Sequence, residues 1–151
     1  MLDNNNQQYF YQAVEDNDLN KVKEFIKKDN VHPNIGGSWG FVLACKLGHI
    51  DIVNFLIEEG SSIFNDKNDE AIRMAAEFGH YDVVKILLTL DFVNPASLSN
   101  YAIFHAYYGK FYNIVELLAQ DIRVKNKMTQ NDPETFEMLR LINVRKKIEH
   151  F

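Results

Sequence analysis

Cysteine occurs once in the 151 residues, at Cys45. An internal disulfide framework and a four-thiolate zinc site are thereby excluded, and the chain suits a reducing compartment. Excess positive charge is missing too. Sixteen Lys and Arg stand against 21 Asp and Glu, for a net charge of −5, so the cationic footprint of a nucleic-acid binder is absent. No apolar run approaches the roughly 18 residues of a membrane span. Met1 to Gln8 is polar and amide-rich, with no basic start leading into an apolar core, so no secretory signal is read there. An intracellular, cytoplasmic location is expected, with no membrane partner. The Gly36-Gly37 pair lacks a following Gly-Lys-Ser, so no phosphate cradle is supported. What is present is 46% hydrophobic and 25% charged residues, a globular composition. A chain of this length removes roughly 70% of its unfolded surface from water.

The sequence repeats. Ala13, Ala44, Ala75 and Ala106 follow one another at steps of 31 residues. In the same register run Val22, Val53, Val84 and Val115, and then Phe10, Phe41, Ile72 and Ile103. Phe25, Leu56, Leu87 and Leu118 form a fourth column, and Leu19, Ile50, Tyr81 and Tyr112 a fifth. Each copy reads as two short helices. Phe41, Ala44, Cys45 and Gly48 follow i, i+3, i+4, i+7, and Gly48-His49 breaks that helix. Ile50, Val53, Leu56 and Ile57 form a second apolar stripe, ended by Gly60. Asn68 or Asp69 is a candidate N-cap for the helix that follows. Neither helix of a pair can bury its stripe alone, and stacked pairs make one continuous core.

The segments 43–53 (LACKLGHIDIV) and 74–85 (MAAEFGHYDVVK) resemble ankyrin repeats. The resemblance covers about residues 7–122, as four copies at 7–34, 35–65, 66–96 and 97–122. It implies an all-α solenoid of stacked helix pairs that binds proteins and has no chemistry or cofactor of its own. The usual Thr-Pro-Leu-His opening is replaced by Trp39-Gly40-Phe41-Val42, Glu70-Ala71-Ile72-Arg73 and Tyr101-Ala102-Ile103-Phe104, and the period is 31 rather than 33. Two residues fewer per copy imply shorter fingers between pairs. The third copy is similar to the divergent repeats carried by large DNA viruses of amoebae.

The outer copies depart from the pattern. Asn17-Asp18 stands where the middle copies have Gly-His, and Lys110 occupies the glycine column one residue after Gly109. Beyond Asp121 the register is lost, and Val124 to Asn131 reads as a polar loop. Asp132-Pro133 then reads as an N-cap and first helical residue. It opens a helix over 132–149 with Phe136, Leu139 and Ile142 inward, joined by Met138, Leu141 and Ile148. This helix caps the stack, or else docks a partner. The last 31 residues carry net charge +2, including Arg145-Lys146-Lys147, and the first 120 carry −7.

Candidate chemistry is sparse. His49 and His80 share a column, and the separation of stacked helices, about 8–10 Å, is too wide for two ligands of one zinc. They are read as a turn-stabilising histidine used twice. Cys45 and His49 lie i, i+4, the spacing of a thiol–imidazole pair, but Cys45 fills the small-residue column of Ala76. His105 falls in the inward column of Leu43 and Met74. No metal site is expected. Glu70, Arg73 and Glu77 suit helix-surface ion pairs.

The exposed side of each first helix follows from 100° per residue. It carries Trp39, Val42 and Lys46, then Glu70, Arg73 and Glu77, then Tyr101, Phe104 and Tyr108, with Leu47 and Phe78 at the edge. Trp, Tyr and Arg dominate binding hot spots, and an aromatic patch in water calls for a partner. Two bland alternatives stay open. Trp39 could fold back on the 33–37 loop, and the C-terminal helix could cover Tyr101 and Phe104. The expected activity is non-catalytic binding of a protein partner on this concave face, as adaptor or inhibitor. A monomer is favoured over an oligomer. The rivals are a homo-oligomerising building block and an enzyme or small-ligand binder around Cys45, His49 and His105.

Overall fold

The computed structural model describes residues 4–28, 38–60, 68–131 and 133–149. Among the described residues there are ten helices and no strands. They run in antiparallel pairs: α1 (Asn4–Glu15) with α2 (Leu19–Lys28), α3 (Trp39–Leu47) with α4 (Ile50–Gly60), α5 (Asn68–Glu77) with α6 (Tyr81–Leu87), and α7 (Ser97–Tyr108) with α8 (Tyr112–Gln120). Two further helices follow, α9 (Ile122–Asn131) and α10 (Pro133–Glu149). The expected fingers at 29–37 and 61–67, with the Gly36-Gly37 pair, lie outside the described residues, as does Asp132.

The columns explain the packing. Ala13, Ala44, Ala75 and Ala106 are buried, as are Phe10, Phe41, Ile72, Ile103 and all four column valines. Small alanines let the first helices approach closely. α1, α3, α5 and α7 pack side by side more intimately than α2, α4, α6 and α8 do, so the row curves with the first helices inside. Each alanine also works through its carbonyl. The amides of Asp18, His49, His80 and Phe111 donate to Ala13, Ala44, Ala75 and Ala106 at 2.8–3.0 Å. This is the wide bond of a Schellman turn, which uses a carbonyl that the helix end leaves unpaired.

That turn needs a left-handed residue. Asn17 (φ 55°), Gly48 (φ 73°), Gly79 (φ 82°) and Lys110 (φ 63°) all supply it. The backbone is therefore the same in four copies, although glycine appears in two. In the middle copies glycine also makes room. A Cβ on Gly48 would run into the ring of His80, and one on Gly79 into the ring of Phe111. Each ring belongs to the copy that follows.

Two expectations for the C-terminal part are corrected. Residues 124–131 are not a loop but the body of α9. Asp121 caps that helix: the Arg123 amide donates to its Oδ1 at 2.8 Å and the Lys125 amide to its carbonyl at 3.0 Å. Val124 and Met128, i and i+4, are the residues α9 buries. In α10 Met138 and Ile142 are buried and Leu139 packs half-buried against the core, as expected of all three. Phe136 was expected inward and is 66% exposed, and Leu141 is exposed as well. α9 takes the place next to α8, so α10 meets α9 and α7 along its Met138–Ile142 edge. The side chain of Ile148 lies outside the described residues.

α7 opens irregularly. Leu98, Ser99 and Asn100 are all left-handed, and regular helix begins at Tyr101, the position matching Trp39 and Glu70. Asn100 is fully buried and neither atom of its side-chain amide has a hydrogen-bond partner. Left-handed residues with a Cβ cost about 1–2 kcal/mol each, so this turn is the least relaxed segment described.

Candidate functional site: the concave helix face

The exposed face of α3, α5 and α7 is built by side chains that cross from one pair to the next. The Lys46 ammonium sits 5.0 Å from the centre of the Phe78 ring. Arg73 reaches 5.2 Å from the Tyr101 ring, and its Nε donates to the Asp69 carbonyl at 3.1 Å. The Tyr101 hydroxyl donates to Glu77 Oε2 at 3.2 Å, and the same oxygen lies 3.8 Å from His105 Nδ1. Tyr101 and His105 stack at 3.7 Å with 13° between their planes. Burial, then the Glu77 charge, raises the Tyr101 pKa above its ordinary value, so the phenol remains a donor throughout the physiological range.

These contacts correct three expectations. Val42 was placed on the exposed face and is 1% exposed. It is short, so the neighbouring first helices close over it, while Arg73 and Phe104 at the same register are long enough to emerge half-buried. Arg73 was expected to pair with Glu70 and Glu77 along its own helix, and turns instead to Asp69 and to Tyr101 of the next pair. His105 was expected inward. It stands half-buried in the Tyr101–Glu77 cluster, because the stacked Tyr101 one turn earlier draws the ring to the surface side. Trp39, Leu47 and Phe78 are exposed, and Tyr108 is 71% exposed. Lys46, Glu70, Glu77, Tyr101 and Phe104 are half-buried. The 33–37 segment proposed to cover Trp39 lies outside the described residues.

The column histidines behave differently from each other. His80 Nε2 bonds the Lys46 carbonyl of the preceding pair at 2.7 Å while its ring covers Gly48. The position matching Gly48 in the first copy is Asn17, which carries a Cβ, and His49 Nε2 is buried without a protein partner. At the first position of the column stands Asp18. It has no preceding pair among the described residues to lie on, and acts as an N-cap: the Lys21 amide donates to its Oδ1 at 3.0 Å. That bond, with the Lys21 ammonium, holds the Asp18 carboxyl below its ordinary pKa.

Cys45 is fully buried, and desolvation raises its thiol pKa far above the ordinary value. A thiolate nucleophile is therefore not available there. Among the described residues no group of three or more His, Cys, Asp and Glu side chains gathers as a metal site.

Sequence reasoning missed Arg123. Its guanidinium pairs with Asp121 through two bonds, at 2.7 and 2.9 Å. It also donates to the Val93 carbonyl at 2.6 Å and the Leu88 carbonyl at 3.1 Å. α9 thus pins the connection between α6 and α7. The signal was an Asp-x-Arg at the point where the register fails.

A family model for ankyrin repeats, in three copies, matches residues 10–97. The chain belongs to the ankyrin repeat family. The match ends where the left-handed turn of α7 begins. The Drosophila melanogaster ankyrin repeat and KH domain-containing protein mask is 32% identical over 85 residues. That stretch is half of this chain and 2% of that protein's length. No solved structure matches the chain. Ankyrin repeats are in general protein-interaction modules, and the family is typically non-catalytic. Among the described residues no helix is long and apolar enough to cross a membrane.

Proposed function

We propose that this ankyrin stack binds a partner protein through the concave face of α3, α5 and α7, acting as an adaptor or inhibitor. The observation that carries the reading is the alignment of exposed apolar groups on successive first helices: Trp39 and Leu47, then Phe78, then Tyr108. Between them lie Lys46, Glu70, Arg73, Glu77, Tyr101 and Phe104. The cross-pair contacts fix several of these side chains in place, which lowers the ordering cost of association. The aromatic groups supply affinity, and the Glu70, Arg73 and Glu77 charges supply discrimination more than strength. Val42 supports the face from beneath. The protein acts as a monomer with no cofactor, and the partner is a protein rather than a nucleic acid or a membrane.

The test replaces Trp39, Phe78 and Tyr108 with Ala. These side chains are exposed, so the thermal midpoint should hold. Partner recovery from a native lysate should fall at least several-fold. Equal recovery at an unchanged midpoint overturns the concave-face reading.

A further inference from the structure

The fourth pair and α10 enclose an open cleft of about 310 Å³. One wall comes from α7, as Phe104, Tyr107 and Tyr108, and the other from α10. Tyr107 stands edge-on to Tyr108, with ring centres 5.8 Å apart and planes at 67°. The two rings therefore form a corner rather than a flat stack. On the α10 side Glu134, Glu137, Met138 and Leu141 line it, with the two glutamates and Leu141 exposed and Met138 buried.

The geometry points to a receptor for a basic side chain, the lysine or arginine of a partner protein, in the cleft between α7 and α10. This rests on the protein-binding reading above and names the chemistry of one contact. Ring faces carry partial negative charge and attract a cation within about 6 Å. Two carboxylates on the opposite wall add full charges. The apolar Met138 and Leu141 side chains in the lining suit the methylene stem that lysine and arginine lay along apolar surface. An aliphatic side chain would offer these carboxylates no counter-charge, and an acidic one would be repelled. The volume lies at the low end for ligand sites, about 300–1,000 Å³, ample for one side chain entering from an open mouth. One competitor lies beside the cleft. Arg140 Nη1 lies 3.3 Å from Glu137 Oε2, in an exposed pair that is weak and exchangeable.

The test titrates the full chain with three capped pentapeptides, Ala-Ala-X-Ala-Ala with X as Lys, Arg or Leu, followed by amide NMR shifts. The Lys and Arg peptides should shift Tyr107, Tyr108, Glu134 and Glu137 saturably, and the Leu peptide should not. Glu134→Gln with Glu137→Gln should weaken binding at least about fivefold, and Tyr108→Ala about threefold. Arg140→Ala should strengthen binding about twofold, because it frees Glu137. All four positions are exposed, so circular dichroism should show an unchanged fold. Equal binding of the Leu peptide, or undiminished binding to the double Gln variant, overturns the cleft. Trp39→Ala with Phe78→Ala should leave pentapeptide binding intact. If that variant also leaves partner recovery intact while the double Gln variant loses the peptide, the concave-face reading fails and the cleft stands.

Discussion

The two middle pairs and the two outer pairs share one turn and differ in what lies on it. Gly48 and Gly79 are covered by rings from the next pair, whereas Lys110 is exposed and Asn17 carries a side chain of its own. All four residues are left-handed. In this column glycine is thus favoured on two grounds in the middle, by backbone angle and by the arriving ring, and on one at the edges. A single column consequently tolerates different residues according to its place in the row.

The sharpest way to break the comparison is to place the same change at both kinds of site. Gly79→Ala adds a Cβ to a left-handed residue and drives it into Phe111. It should cost about 2–4 kcal/mol in urea unfolding. Lys110→Gly meets no ring and relieves the backbone. It should stabilise by about 0.5–1 kcal/mol after the added freedom of the unfolded chain is subtracted. A loss of stability in both would erase the distinction between middle and edge.

Next in size is the bracket at the C-terminal edge. Arg123→Ala removes a charged donor from two backbone carbonyls and a carboxylate, and should cost about 1.5–3 kcal/mol. Its partner adds a pH signature. The Arg123 guanidinium bonds lower the Asp121 pKa from its ordinary 3.8. A depressed folded pKa stabilises above the unfolded value and loses that contribution as pH falls through the folded one. Acid unfolding below about pH 4 should therefore be less steep in Asp121→Asn. The same acid limb in both proteins would remove Asp121 from the account.

The histidine column gives a smaller contrast. His80→Ala loses the ring over Gly48 and the bond to Lys46, and should cost about 1–2 kcal/mol. His49→Phe places in the second copy the residue that the fourth carries at Phe111, and removes a buried nitrogen without a partner. It should be neutral within about 0.5 kcal/mol or stabilising. Smallest is Lys21→Ala. The Asp18–Lys21 pair is exposed, so the urea midpoint should not move measurably.

The columns made the helix pairs legible because burial in a row of stacked units repeats with the period of the chain. Every column alanine and valine is buried. The exposed face followed from helix geometry alone, and it failed where the neighbouring pair decides the outcome. Val42 is covered by adjacent helices, and Arg73 prefers a ring that belongs to another copy. A reading confined to one helix cannot register such neighbours. The 28-residue interval between Arg73 and Tyr101, three short of the repeat, was nonetheless present to be noticed. α9 escaped because, among its described side chains, it buries only Val124 and Met128 in an otherwise polar segment, too thin a stripe for periodicity to show. α10 turned a different edge inward because α9 already filled the place beside α8.

The ring over glycine has a direction along the chain. Its ring always comes from the later pair and its glycine from the earlier one. During synthesis each glycine turn emerges uncovered and is closed only when the first helix of the next pair and the turn after it have been made. The cover over each glycine turn therefore belongs to the pair made after it. Stripping the row from its last pair uncovers a single glycine, Gly79, and leaves His80 seated on Gly48. Peeling from the opposite end strands no ring over glycine with the first pair, and strands His80 with the second. The stack thus has a built-in polarity of assembly, carried by two side chains.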